Sequence, residues 1–245
     1  AGIIDYKHSS NVMTFGTNGS ERVRISSGGS IGVSHDLAGT SNYNRLMLNN
    51  PHDGSCWLQM TSTASGNGAN TDGLSIGLNS SNVAHIWQRE NAKMMFATNG
   101  TSRMEISANG IVTKPNTPAF RAHDSNHAQN GFLTFDQIAT NVGSHYNGSN
   151  GRFTVPIAGT YFFTFYGMLA SSSGNARVEY YINGSVHSSG EHYGGVAYTN
   201  GQTYNFLSCS TILTLSQNDY VNLNWNTSYN SMHSYHNGFM GFLIG

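Results

Sequence analysis

The stretch that decides the fold runs from Phe135 to Phe165 and reads FDQIATNVGSHYNGSNGRFTVPIAGTYFFTF. Its bulky and turn-forming residues are spaced as in short strands separated by turns: Phe135, Asn141, Tyr146, Phe153, Gly159, Tyr161, Phe163 and Phe165. The last three are aromatic and alternate with other residues, and a period of two is how a β-strand presents one face to a core. The stretch therefore predicts a β-sandwich.

Helical periodicity is absent from the rest of the chain. No segment sustains apolar residues at i, i+3, i+4 and i+7 between capping residues, whereas Asn-Gly, Ser-Gly and Gly-Gly pairs recur throughout. The sequence predicts an all-β chain.

The chain is poor in charge. Charged residues make up 9% of its 245 residues, against about 25% in ordinary soluble domains. Such a composition suits a surface covered by partner subunits, and it equally suits a rigid extracellular fibre. A formal net charge of -1 gives no basic surface for nucleic acid, and no apolar run reaches the roughly 20 residues that span a bilayer. We expect neither a nucleic-acid partner nor membrane insertion.

An internal repeat occupies the N-terminal part. MTFGTNGSERVRISSGG, Met13–Gly29, recurs as MMFATNGTSRMEISANG, Met94–Gly110, at a constant offset (96 − 15 = 81 for the phenylalanines). The offset also relates Tyr6 to Trp87. Each copy predicts a hairpin with an Asn-Gly turn, because both residues tolerate positive φ. One hairpin cannot bury a face alone, so each copy needs neighbouring faces along the chain or across subunits.

A proline-containing linker separates this region from the rest. Pro115 and Pro118 bias the residues before them toward extended conformations. We expect a stalk of residues 1–114, with hairpin repeats at 5–31 and 86–112, and a head of residues 115–245. Because Ala1 already lies in what reads as a strand, we expect the chain to be a piece of something longer.

The head is predicted to hold eight strands, with a long loop before the last one. They are Ala119–Ala122, Gly131–Phe135, Gly151–Val155, Thr160–Met168, Ala176–Ile182, Tyr204–Leu215, Tyr220–Asn226 and Gly238–Ile244.

The Phe135–Phe165 pattern resembles the signature of the complement component 1q globular head, a jelly roll of the tumour-necrosis-factor type. The closing strand, with Phe239, Gly241 and Leu243, is similar to that of the same family. Asn218-Asp219 stands where the family usually carries Gly-Asp, and Asn also tolerates the left-handed conformation. The resemblance implies a homotrimer built through one sheet of each jelly roll.

Both faces of the strand after Gly159 are largely apolar, although a sheet wetted on one side would alternate apolar and polar residues. We expect one face in the core and the other against a neighbouring subunit. The residues assigned to the core or the trimer axis are Phe162, Phe163, Phe165 and Tyr166. The alternative is a monomeric sandwich whose second face is covered by loops.

Receptor binding is expected at the end of the head farthest from the stalk. Strands alternate in direction, so the connections Ser171–Asn175, Tyr198–Thr203 and Asn226–Asn237 should share that end. Aromatic planes and amides there suit sugar rings and hydroxyls. The candidate binding residues are Tyr198, Asn226, Tyr229, Asn230, His233, Tyr235 and His236. Each aromatic side chain could instead pack on the threefold axis.

Catalytic and metal motifs are not found in the sequence. His233 and His236 have H-x-x-H spacing, but their loop contains no Cys, Asp or Glu. The acids Asp136, Glu179, Glu191 and Asp219 are scattered over different segments, and there is no G-x-S-x-G, P-loop or H-E-x-x-H motif. We expect no enzyme activity, no cofactor and no metal.

The hairpin repeats resemble F-x-T-N-G-x-x-R-x-x-I segments of phage tail-fibre proteins; alternatively, they are spacer hairpins without chemistry. The first reading predicts a virion tail fibre, or another extracellular surface protein, whose N-terminal end joins other fibre or tail proteins. Its head would attach to a host-surface glycan or protein. The alternatives are a structural fibre subunit or joint without receptor binding, and a polysaccharide depolymerase with carboxylates gathered across subunit interfaces.

Overall fold

The computed structural model describes residues 2–28, 31–33, 54–66, 68–124, 130–170, 173–186, 194–200, 204–227 and 232–245. It divides into two compact units, residues 1–92 and 93–245. Every helix or strand in the described ranges is a β-strand, which confirms the all-β prediction.

The first unit contains two antiparallel sheets. The first has its strands in chain order: β1 (Gly2–Lys7), β2 (Val12–Thr17), β3 (Ser20–Ile25) and β4 (Ile31–Val33). The second also follows chain order: β5 (Cys56–Met60), β6 (Leu74–Leu78) and β7 (Ala84–Gln88).

The second unit begins with the second hairpin copy. Its three strands form a sheet in which β9 is central: β8 (Met94–Thr98), β9 (Thr101–Ile106) and β10 (Val112–Thr113). This copy therefore belongs to the same compact unit as the head strands, and the stalk–head boundary at Pro115 stays a prediction.

The two repeat copies fold alike. Both turns are Asn-Gly with positive φ, 51° and 74° at Asn18-Gly19 and 49° and 69° at Asn99-Gly100. In each copy the arginine after the turn donates from Nε to the threonine before it, at 3.0 Å for Arg22 and Thr17 and 2.9 Å for Arg103 and Thr98. The predicted hairpins are confirmed. Their upstream strands differ, since β1 pairs with β2 whereas β7, which holds Trp87, pairs with β6.

Twelve further strands build the head. They are β11 (Ala119–His123), β12 (Gly131–Phe132), β13 (Gln137–Val142), β14 (Tyr146–Asn147), β15 (Arg152–Thr154), β16 (Gly159–Leu169), β17 (Ser173–Ile182), β18 (Ser185–Val186), β19 (Gly194–Asn200), β20 (Phe206–Leu215), β21 (Tyr220–Thr227) and β22 (Met232–Leu243).

These strands form two antiparallel sheets that enclose one core. The five-stranded sheet has the order β13-β11-β22-β16-β20, which places the first long strand of the head beside the last. The seven-stranded sheet has the order β14-β15-β21-β17-β18, with β12 on β21 and β19 on β17. The chain passes back and forth between the two sheets, as in a jelly roll.

Aromatic rings fill the core between the sheets. Phe120 stacks on Tyr146 at 4.6 Å and on Phe153 at 5.0 Å between ring centroids. Phe163 and Phe165 are fully buried there. Burial of each such side chain is worth about 1.5–3 kcal/mol, so the regularly spaced aromatic residues of the sequence stabilise the sandwich.

The structure differs from the predicted strands in two main ways. It contains β13, β14, β18 and β19, which the sequence did not indicate, and β22 begins at Met232 rather than Gly238. The Asn218-Asp219 turn agrees with expectation, because Asn218 has a φ of 71°.

Candidate functional site at the far end of the head

The far end of the head is defined by His123, Leu169, Phe206 and Met232. Strand β11 enters at Ala119, beside Phe242, and runs antiparallel to β22 toward Phe239. Met232 pairs with Leu169 and Phe206 pairs with Met168. The far end therefore lies opposite the end at which Ala119 joins the sheet.

A large bulge interrupts β22 at this end. Gly167 pairs with Asn237 and Leu169 pairs with Met232, so five steps along β22 face two steps along β16. Met232 is fully buried at one foot of the bulge and Asn237 at the other. The residues between them, 233–236, are thereby pushed out of the pairing ladder, as extra residues in a β-bulge are.

Asn237 holds the bulge in place. Its Oδ1 accepts a hydrogen bond from the Asp124 backbone N–H at 2.7 Å, and its Nδ2 donates to the His233 carbonyl at 3.1 Å. The Tyr235 N–H donates to the Asp124 carbonyl at 3.0 Å, and Tyr235 has a φ of 63°. A buried side-chain amide whose oxygen and nitrogen are both hydrogen-bonded fixes the backbone of the bulge in one conformation.

The bulge displays a cluster of rings that we call the apical ring cluster: His123, Tyr204, His233, Tyr235 and His236. The two histidine rings of the bulge meet edge to face at 4.7 Å, and Tyr204 lies 5.8 Å from His233. Tyr235 lies 6.3 Å from His123. Tyr235 and Tyr204 are 66% and 59% exposed, so the cluster offers aromatic faces and imidazole nitrogens to solvent.

The candidate binding residues from the sequence are only partly brought together. His233, Tyr235 and His236 belong to the cluster, but they lie within β22 rather than in a loop. Asn226 is exposed on β21 of the other sheet, and Tyr198 lies in β19 with its backbone opposite Asn175.

The other two candidates, Tyr229 and Asn230, fall outside the described residues. Sequence reasoning missed Tyr204 and His123, which contact the bulge. It counted Asn237 among the amides of the expected binding loop and missed its role as the anchor of the bulge. No local pattern marks Tyr204 and His123 as neighbours of the bulge or Asn237 as its anchor, because the contacts involved join segments that are far apart in sequence.

The five-stranded sheet turns a second, partly apolar face away from the core. Ile212, Phe162 and Phe242 lie side by side on three adjacent strands and form what we call the apolar row. The rings of Phe162 and Phe242 are 5.4 Å apart, and Ile212 is 61% exposed. Tyr166 lies further along the same face of β16. Of the four residues assigned to core or axis, Phe163 and Phe165 thus face the core, whereas Phe162 and Tyr166 face outward.

Among the candidate acids, Asp219 has a structural role. Asp219 accepts hydrogen bonds from the Asn183 side chain at 2.8 Å and the Ser216 N–H at 2.7 Å, so it organises a turn. Glu191 lies outside the described residues. No described group of three or more His, Cys, Asp or Glu side chains is placed to hold a metal ion. The described part of the chain also has no helix long and apolar enough to cross a membrane.

The two facing antiparallel sheets of β11–β22 form a jelly-roll head. Residues 119–244 match the family model of the C1q domain. The chain therefore belongs to the C1q domain family.

Solved structures with a similar fold include a complement globular domain and murine APRIL. The globular domain of a zebrafish complement 1qA protein is 20% identical, covers 52% of this chain and 98% of its own, and has a TM-score of 0.43. Murine APRIL at pH 5.0 is 12% identical, covers 52% of this chain and 98% of its own, and has a TM-score of 0.42.

Proposed function

We propose that this chain is a non-enzymatic subunit of a trimeric fibre, such as a phage tail fibre, whose C1q head attaches to a host-surface glycan through the apical ring cluster. The observation that carries the proposal is the bulge of β22, clamped by Asn237, which presents rings at the far end of the head. The virion or another extracellular surface is the corresponding location, and the N-terminal end would join other fibre or tail proteins.

The chemistry of the cluster suits sugars. Tyr204 and Tyr235 offer flat faces on which the C–H face of a pyranose can stack, and each ends in a hydroxyl. The imidazole of His236 provides a donor and an acceptor when neutral. Nδ1 of His233 lies 2.8 Å from the Ser234 carbonyl, to which it donates, so His233 keeps Nε2 as an acceptor for a ligand. Because the clamp fixes the bulge before any ligand arrives, binding costs little ordering entropy.

The outward face of the five-stranded sheet supports a trimer. The row of Ile212, Phe162 and Phe242, in which Ile212 and Phe242 are exposed and Phe162 is half-buried, is an unfavourable surface for a monomer in water. At about 1.5–3 kcal/mol for each buried large side chain, three copies of the row meeting on one axis would stabilise the assembly strongly. Phe162 and Tyr166 take this role, while Phe163 and Phe165 hold the core beneath them.

Attachment is tested by probing a glycan array with the full chain. The variants are Tyr235→Ala and His236→Ala, and the matched control is Phe132→Ala, an exposed aromatic residue on the other sheet of the head. We expect binding of the glycans that the head recognises to fall by about tenfold or more in both variants and to be unchanged in the control. Wild-type signals that neither variant changes would overturn the assignment to the cluster.

A purely structural role is the second candidate. The face of the β5–β7 sheet that carries Leu58, Ile76 and Ile86 is exposed and aliphatic, which suits packing between subunits without any receptor. A chain that assembles into trimers or filaments by electron microscopy but binds no glycan on the array would favour this role over attachment.

A further inference from the structure

The opposite face of the β5–β7 sheet is aromatic and cationic instead of aliphatic. Trp57, Gly77 and His85 lie side by side across its three strands. A Cβ on Gly77 would stand 2.9 Å from the Trp57 ring atom Cε3. The glycine therefore leaves the space in which the indole lies across the central strand.

Arg89 completes this surface. Its guanidinium carbon lies 3.9 Å from the Trp87 ring centroid and 5.9 Å from that of Trp57. His85 lies 5.4 Å from each of the two tryptophan rings and is nearly parallel to Trp87, at 19°. Two indoles, an imidazole and a guanidinium thus form one continuous platform, held in part by cation–π attraction.

The guanidinium of Arg89 lacks a polar partner among the described residues. Its Nε is buried without a hydrogen bond, and so is Nε2 of His85. The ion pairs of the described residues do not include Arg89. A buried, unbonded cationic donor is costly. An anionic ligand at the accessible part of this guanidinium would give it the polar partner that it lacks.

A cleft opens beside the platform. It has a volume of about 250 Å³ and is lined by Trp57, Gln59, Asn70, Thr71, Ser75 and Arg89. Gln59 uses its amide nitrogen to bond the carbonyls of Ala69 at 2.6 Å and Asp72 at 2.8 Å. Its carbonyl oxygen is thereby held in a fixed position as an acceptor. Drug-sized pockets span roughly 300–1,000 Å³, so this cleft suits a single ring.

We propose that the cleft binds an acidic pyranoside, a sugar ring that carries a carboxylate or sulfate. The indole of Trp57, which lines the cleft, takes the C–H face of the ring, and Gln59, Asn70 and Thr71 meet its hydroxyls. Trp87 holds the guanidinium of Arg89 in place beside the cleft. Arg89 binds the anionic group, for which a planar fork of donors is well shaped. The proposal does not rest on glycan binding by the head, because all of these residues lie in the first unit.

The test uses the full chain on an array that carries neutral, uronic-acid, sialic-acid and sulfated glycans. The variants are Trp87→Ala and Arg89→Gln. Ile86→Ala is the matched control, since Ile86 is a neighbour of Trp87 on the same strand but lies on the aliphatic face. We expect acidic glycans to bind to wild type and control, and to weaken by about tenfold or more in both variants. The head variant His236→Ala should keep these signals.

Folding of each variant is checked by its thermal midpoint and far-ultraviolet circular dichroism. If no acidic glycan depends on both Trp87 and Arg89 in folded protein, the proposal is overturned. Signals that depend on Trp87 alone and include neutral glycans would overturn the acidic specificity. Signals lost only in His236→Ala would assign all binding to the head and would also overturn it.

Discussion

The side chain of Asn141 forms two hydrogen bonds with the backbone of Tyr146. Its Nδ2 donates to the Tyr146 carbonyl at 2.8 Å, and its Oδ1 accepts from the Tyr146 N–H at 3.1 Å. The Tyr146 hydroxyl in turn accepts from the Phe135 N–H at 3.2 Å. Phe135, Asn141 and Tyr146 are thus joined in one hydrogen-bond network at the edge of the aromatic core. This network explains why an asparagine occurs among the aromatic residues of the sequence signature.

Asn141→Ala should destabilise the head by about 1–3 kcal/mol, because it leaves the partly buried N–H and C=O of Tyr146 without partners. Asn147→Ala is the control. Asn147 follows Tyr146 directly, and its side chain only accepts a hydrogen bond from the Ser149 N–H in an exposed turn. Its effect should stay within about 0.5 kcal/mol. Urea denaturation measures both, and equal effects would contradict a structural role for the Asn141 pair.

The apolar row predicts how the chain assembles. Ile212→Glu places a charge in the centre of the proposed trimer contact without touching the core, because Ile212 is 61% exposed in the isolated chain. We expect mass photometry to show the 26.5 kDa chain as a monomer in the variant and as a trimer in wild type.

The control for this prediction is Ile157→Glu, an exposed isoleucine in the turn before β16, which should remain trimeric. A wild-type chain that is monomeric at micromolar concentration would contradict the assignment of the row to an intersubunit contact.

The sequence was sufficient for those parts of the fold that local chemistry encodes. Asn18-Gly19 and Asn99-Gly100 turn as hairpins because few other pairs accept positive φ at both positions. The alternation of Tyr161, Phe163 and Phe165 identified β16, since one of its faces is fully buried. These features depend on neighbours in the chain, so a single sequence contains them.

The strands that were not predicted have no local sequence pattern that marks them. Strand β13 lies at a sheet edge and is mostly exposed, so it has no apolar alternation. The segment before Gly238 is polar and was interpreted as a loop. Its pairing depends on burial of Met232 and on the bond between Asn237 and Asp124, residues that are far apart in sequence. The site was therefore predicted in part: three of its five rings were recognised, and the bulge that displays them was missed.

We expect the fully buried Asn237 to control glycan binding by the exposed rings of the bulge. Asn237→Leu removes the bonds to Asp124 and His233 while filling similar space. We expect glycan binding by the head to fall by about tenfold or more, because the bulge loses its fixed conformation. Hydrogen exchange should rise at residues 233–236, whereas Tyr235→Ala should lose binding without that rise. Unchanged exchange in Asn237→Leu would contradict the clamp.

Alkaline pH should destabilise the head through buried acids of high pKa. Burial raises the pKa of the Cys209 thiol from 9.0 to about 11, and burial likewise raises the pKa of the Tyr180 hydroxyl. Between pH 9.0 and about pH 11 the unfolded chain loses the Cys209 thiol proton, whereas the folded chain keeps it. The unfolded state then binds fewer protons, so the free energy of unfolding falls as pH rises.

Cys209→Ser isolates the thiol contribution to this loss of stability, because serine does not titrate. The Tyr180 hydroxyl bonds the backbone carbonyl of residue 209, at 3.0 Å, and that carbonyl is unchanged by the substitution. Urea denaturation in reductant at about pH 8 and about pH 10 should show a decline smaller by roughly 1 kcal/mol in the variant than in wild type. Cys56→Ser, at the partly exposed cysteine of β5, should decline like wild type. An equal decline in all three proteins would show that the Cys209 thiol does not limit alkaline stability.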